Sequence, residues 1–152
     1  MNAPIVPRIR VKALGLHWRG DAILAAEIRE LDGTLKGVRP LGGTVEPGEE
    51  TAKTVVREFQ EELGQSVTIT GPAIVLENIF TFRGQPGHEI VFVYPIRFDE
   101  GAFAYNDVIH FQEDSGEDCT ARWFPLSDLD APGGVALFPN GLRRHLVAPP
   151  PN

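Results

Sequence analysis

Five glutamates lie between positions 49 and 62: Glu49, Glu50, Glu58, Glu61 and Glu62. The spacing predicts a helix from Thr51 to Leu63, because Ala52, Val55, Val56, Phe59 and Leu63 recur every three or four residues and form one apolar face. With about 100° of rotation per residue and Ala52 at zero, Glu58 and Glu62 fall near ~240° and ~280°. Glu61 falls near ~180° and Arg57 near ~140°. Glu58 and Glu62 are therefore neighbours one turn apart on a flank of the buried face, and Arg57 and Glu61 form a second such pair. Like charges at this spacing oppose the helix, whereas a hard divalent cation between them turns repulsion into coordination. The donors are all carboxylates, which suits Mg²⁺ or Mn²⁺ and not a structural zinc. A solvated acidic face is the plainer reading of the glutamates taken alone.

The wider spacing points to chemistry. Five residues separate Gly43 from Glu49, and seven separate Glu49 from Arg57-Glu58. Phe59, Gln60, Glu61, Glu62, Leu63 and Gly64 follow. This run matches the signature G-x5-E-x7-R-E-U-x-E-E-x-G-U at all seven fixed letters. At roughly 7% usage per residue, chance gives such a match at a given start about once in ~10⁸ trials. The chain resembles the Nudix hydrolase superfamily through this box. Phe59 replaces the more usual aliphatic residue but stays apolar, and Gln65 replaces the final apolar residue. Arg39-Pro40-Leu41-Gly42-Gly43 resembles the family's approach to the box, and Trp123-Phe124-Pro125-Leu126 its late strand and turn. The resemblance spans about Ile9 to Leu146.

That resemblance implies an α/β class and an α/β/α sandwich around a mixed sheet. It implies Glu58, Glu61, Glu62 and the Gly42 carbonyl as metal ligands. Arg57 and Glu49 would hold the loop to the helix, and Gly43 and Gly48 would let the backbone turn beside the phosphates. It implies a Mg²⁺-dependent hydrolase (Mn²⁺ as substitute) that cleaves a diphosphate linkage by water attack on phosphorus. The leaving group stays open among nucleotide sugars, ADP-ribose, oxidised nucleoside triphosphates and dinucleoside polyphosphates. Members usually add a base or ligand from outside the box; Glu117 is the first candidate and Glu113 the second. Arg39, and next Arg83, are placed to meet phosphate oxygens, and His88 is a further candidate contact. Two other readings belong to the same fold: a nucleotide sensor that does not cleave, and an isoprenoid diphosphate isomerase. The isomerase would need a placed catalytic cysteine, and Cys119 has no such context. A homodimer is an expectation of the resemblance.

Several elements must position these groups. Ile9–His17 reads as a strand, Arg19-Gly20-Asp21 as a turn, and Ala22–Arg29 as the next strand, closed by the turn Leu31-Asp32-Gly33. Gly42–Gly48 reads as a glycine-rich loop with the turn pair Pro47-Gly48, and Gly64 as the helix cap. Ile74–Phe82 and Glu89–Phe98 read as a hairpin around the loop 83–87. Ala121–Phe124 reads as a short strand, Leu126–Leu129 as one helical turn and Asn140–Leu146 as a closing helix. Trp18, Phe80, Phe82 and Trp123 read as core, although each could stack a base. Strands and helices without regular βαβ alternation imply a mixed sheet.

Bulk properties exclude other classes. The 152 residues suffice for a single domain, with flexible ends expected at 1–7 and 147–152. Fourteen Lys and Arg against 21 Asp and Glu give a net charge of −7, which disfavours a nucleic-acid partner. One cysteine permits no intrachain disulfide. The first 16 residues hold no apolar run long enough for a signal peptide or membrane span, so a cytoplasmic protein with no membrane partner is expected.

Overall fold

In the computed structural model the described residues are 8–103, 105–113 and 115–150. The expectation for 1–7, and for the last two residues of the tail, lies outside them. Ten strands and one α-helix follow in chain order: β1 Arg10–Leu16, β2 Trp18–Arg19, β3 Ala22–Arg29, β4 Leu35–Arg39, β5 Leu41–Thr44, α1 Thr51–Leu63, β6 Val67–Ile69, β7 Ile74–Phe82, β8 Gln85–Phe98, β9 Val108–Gln112 and β10 Asp118–Pro125. They form two five-stranded sheets. In the first, β5 pairs β1, β1 pairs β8, and β8 carries β7 and then β6 along its length. The β1–β8 pair is parallel and the rest are antiparallel, so the sheet is mixed, as expected. The second sheet runs β2, β3, β10, β9, with β4 also on β3, and is antiparallel throughout.

Strand alternation divides the core in two. Leu14 and Leu16 of β1 point into a cluster with Ile23, Val38, Leu76, Val91 and Val93, which joins the two sheets. Ala13 belongs to the other cluster, where Val55 and Phe59 of α1 meet Leu24, Ile96, Phe98 and Phe111. Gly15 is needed for that contact: a Cβ there would stand 2.7 Å from the Phe59 ring and 2.8 Å from Ile96 Cδ1. The predicted helix has the observed bounds, and its apolar face is the buried one apart from Val56, which is 40% exposed. Gly64 ends it in the left-handed region at φ 66°, with its N–H donating to the Gln60 carbonyl. Gln65 supplies the next N–H to Phe59, at 3.5 Å, so the cap needs no apolar side chain there.

Three expectations are corrected. Gly42–Thr44, read as the start of a loop, belongs to the edge strand Leu41–Thr44 on β1, because Gly42 lets the two backbones approach: a Cβ on it would fall 2.1 Å from the Ala13 carbonyl oxygen. The predicted loop 83–87 is a two-residue turn. Arg83 and Gly84 have φ of 51° and 78°, matching the twist of the flanking strands, and β8 starts at Gln85. The closing helix at Asn140–Leu146 reduces to the 3-10 turn Arg143–His145, while Leu142 and Leu146 still reach the core. α1 is thus the one α-helix among the described residues, within the α/β class expected.

Candidate functional site

Arg57 organises the box. Its Nε donates to Glu49 Oε2 at 2.8 Å and its Nη2 to Glu49 Oε1 at 3.0 Å, a two-pronged pair that fixes the loop on the helix. Nη1 reaches Glu58 at 2.9 Å and Glu61 at 3.3 Å, and Nη2 also donates to the Thr44 carbonyl at 3.1 Å. The Thr54 hydroxyl donates to Glu49 as well, at 2.7 Å. Hydrogen bonds from Arg57 and then Thr54 hold the Glu49 carboxyl down at about 2. The same Glu49 contacts push the Arg57 guanidinium above its ordinary value. Gly48, at φ 82°, makes the turn that returns Glu49 to the helix.

Glu58 is 3% exposed and lies against Gly43. A Cβ on Gly43 would stand 2.3 Å from the Glu58 carboxyl carbon, so only glycine leaves the carboxylate room at this point of β5. One turn on, the Glu62 carboxyl is pushed up to about 9. Burial is the largest cause, followed by the charge and hydrogen bond of Glu58 and the charge of Glu113; Arg39 acts the other way. Two facing carboxylates in a half-buried place hold a proton unless something else cationic sits between them. Hard oxygen donors, mutual repulsion and a glycine cradle fit a divalent cation. Among the described residues, no three acidic, histidine or cysteine side chains are already gathered as a ligand set. Glu58 and Glu62 would therefore need backbone carbonyl, water or substrate oxygens to complete a coordination shell, as Mg²⁺ commonly does. Glu61 is exposed and takes one Arg57 bond.

Beyond the helix opens a cleft of about 900 Å³. Arg39, Arg83, Glu113 and Glu117 all line it, as does Cys119. The two outside acids stand in different places. Glu117 accepts from Arg83 Nη2 at 2.9 Å, and Arg83 in turn donates to the Arg29 carbonyl and lies 4.7 Å from the Phe82 ring centre. Glu113, at the other end of the β9–β10 turn, acts on Glu62 and Lys12. Arg39 likewise bears on Glu62 and Lys12, which places it on the helix side of the cleft. His88 lines the cleft edge, its Nε2 3.1 Å from Glu77. Burial, then Glu113, pushes the Cys119 thiol up to about 12, so it stays a protonated thiol and supplies no nucleophile. Trp123 is held in the fold by His17 at 5.6 Å and by its N–H to the Asn106 carbonyl at 2.7 Å, whereas Phe80 and Phe82 do line the cleft.

Sequence reasoning passed over Arg10 and Lys12 as site residues, yet both line this cleft. Their signal was present: Arg10 and Lys12 alternate along the predicted strand, so one strand face carries both.

A family model described as NUDIX domain matches residues 8–144. No curated protein matches the chain. Among solved structures, the solution structure of the E. coli ORF135 protein is similar at 21% identity and TM-score 0.51, covering 88% of this chain and 83% of that one. A NUDIX hydrolase from Nitrosomonas europaea is similar at 22% identity and TM-score 0.48, covering 79% and 74%. A MutT NUDIX hydrolase from Burkholderia pseudomallei is similar at 23% identity and TM-score 0.48, covering 82% and 89%. The domain match takes in nearly every described element, from β1 through the 3-10 turn at Arg143, and the chain belongs to the Nudix hydrolase family.

Proposed function

We propose that this protein hydrolyses a diphosphate linkage in a nucleotide-type small molecule, with a divalent cation, Mg²⁺ or in its place Mn²⁺, held by Glu58 and Glu62. The observation that carries the reading is the facing pair of buried Glu58 and half-buried Glu62, with Glu58 cradled by Gly43 and held by Arg57, and with Arg39 and Glu113 joining Glu62 to the cleft they line. When bound there, such a cation neutralises diphosphate charge and lowers the pKa of an attacking water. Glu61 and the Gly42 carbonyl are candidate further ligands. Arg57 and Glu49 keep the loop seated, so the carboxylates need no reorganisation when substrate arrives. Arg39 is positioned to bind phosphate oxygens on the helix side. Arg83, held by Glu117, is a second candidate for phosphate oxygens in the same cleft. That pairing makes Glu113 the better candidate than Glu117 for the carboxylate from outside the box. Activity as a homodimer in the cytoplasm belongs to the same proposal.

The test is turnover of a panel of nucleoside diphosphate derivatives and triphosphates with Mg²⁺, with EDTA and Glu62→Gln as controls. Turnover lost in both controls supports the hydrolase. Tight nucleotide binding with no turnover across the panel would replace it with the sensor reading.

A further inference from the structure

Three strands bordering the cleft, β1, β3 and β4, change from apolar to charged along one face. On the face of β1 turned between the sheets, the order is Leu16, Leu14, Lys12, Arg10. On β3 it is Ile23, Ala25, Glu27, Arg29, and on β4 it is Val38, then Lys36. The apolar halves close the core between the sheets, and the charged halves form part of the cleft wall, with Phe80 and Phe82 of β7 among its other lining residues. The whole chain carries a net charge of −7, yet seven cationic and five acidic side chains line this cleft.

Some of those charges are already matched. Glu27 is bonded to Arg29 and Arg122, and Glu117 to Arg83. Arg10, Lys12 and Arg39 are different. Among the described residues, Arg10 and Arg39 have no acidic group within 4 Å. Lys12 has Glu89 at 4.0 Å and donates to Thr44 Oγ1 at 2.7 Å. Burial, then the charge of Arg39, lowers the Lys12 ammonium, and Arg10 adds to this; Glu89 and Glu113 oppose it. Three cations that repel one another in a half-enclosed place are stable together when an anion joins them, and guanidinium groups fit phosphate oxygens two at a time. Arg39 links this cluster to the Glu58–Glu62 pair, since it also bears on Glu62.

We propose that Arg10, Lys12 and Arg39 form an anion subsite for a phosphate group beyond the scissile diphosphate, so that the substrate is a nucleotide with three or more phosphates and not a diphosphate joined to a neutral sugar. The inference rests on the cleft being the substrate site, as in the proposed function. The extra phosphate is either the end of a longer phosphate chain or a phosphate on the ribose.

Binding tests it without turnover. Calorimetry with Mg²⁺ present would compare three adenosine ligands whose P–O–P oxygens are replaced by methylene: the diphosphate, the triphosphate, and the diphosphate with an added 3′-phosphate. One phosphorylated ligand should bind the native protein ~10-fold or more tightly than the plain diphosphate, and which one locates the extra group. The gain should shrink to less than ~3-fold in Arg10→Gln/Arg39→Gln, with the fold checked by circular dichroism. Arg10 is exposed, so Arg10→Gln alone serves if the double variant does not fold, and it should lower the gain by at least ~2-fold. Equal affinity for all three ligands, binding of none, or an undiminished gain in the variants overturns the subsite. Tight triphosphate binding without hydrolysis of natural nucleotides would remove the hydrolase reading and leave the subsite standing.

Discussion

Replacing Glu62 with glutamine should flatten the pH dependence of stability in the metal-free protein. The Glu62 carboxyl is raised from 4.5 to about 9, mainly by burial and then by Glu58. Between those values the folded chain keeps a proton that the unfolded chain has released. A carboxyl raised in this way contributes stability that is fully present below 4.5 and is lost as pH climbs through 9. One proton sets a slope of at most about 1.4 kcal/mol per pH unit. From pH 6 to 8 the ceiling is therefore about 2.7 kcal/mol, and partial solvent screening of the side chain reduces it to on the order of 1–2 kcal/mol. For a chain of this size that is a fall in Tm of roughly 2–8 °C. The His17 pKa is lowered by burial, so His17 makes stability rise with pH near 6.5, but it is present in both proteins and cancels in the comparison. Glu49 titrates near 2, outside the window. Thermal melts in EDTA at pH 6, 7 and 8 would measure both slopes. Saturating Mg²⁺ should restore the native protein more at pH 8 than at pH 6, and should do little for Glu62→Gln. Equal slopes in the native and Glu62→Gln proteins would refute the account of the carboxylate pair.

Three further outcomes follow from the geometry. Gly43→Ala should fold, since its φ is ordinary, but its Cβ would displace the Glu58 carboxylate; Mg²⁺ affinity measured by calorimetry should fall ~10-fold or more, and native affinity would contradict the cradle. Phe59→Ala removes the ring that joins α1 to β1 and β8, and should cost about 3–5 kcal/mol in urea denaturation. Glu113→Gln should lower kcat by ~10²-fold or more and Glu117→Gln by less than ~10-fold, because Glu117 is committed to Arg83 and Glu113 acts on Glu62; the reverse order would return Glu117 to the candidate role.

Much of the site was readable because it is local. The 3.6-residue period places Glu58 beside Glu62, and Arg57 beside Glu61, before any tertiary contact forms. The helix bounds and the Gly64 cap likewise depend on residues within one or two turns. The short strands β4, β5, β6 and β9 were not legible. Leu35–Arg39 and Leu41–Thr44 contain glycines and too few residues to display alternation, and the partner of the second, β1, lies far along the chain. Asn140–Leu146 carries the apolar spacing of a helix, but Gly141 at φ 89° breaks it, and the core needs only Leu142 and Leu146.

The amino-acid sequence by itself determined the chemistry of the box: which carboxylates face each other, which arginine can tie them to the loop, and which glycines leave space. The Glu58–Glu62 and Arg57–Glu61 pairings follow from helix geometry, and the Arg57–Glu49 tie and the glycine roles from the resemblance of the box to the family signature. Tertiary structure alone decided which groups surround the box. The parallel pairing of β1 with β8 and the meeting of two sheets bring Arg10, Lys12 and Arg39 to one cleft, and give Glu113 and Glu117 different neighbours in it. Arg10 and Lys12, Arg39, and the Glu113–Glu117 turn are separated from one another by tens of residues, and their proximity depends on strand register, in which a shift of one residue turns every side chain to the opposite face.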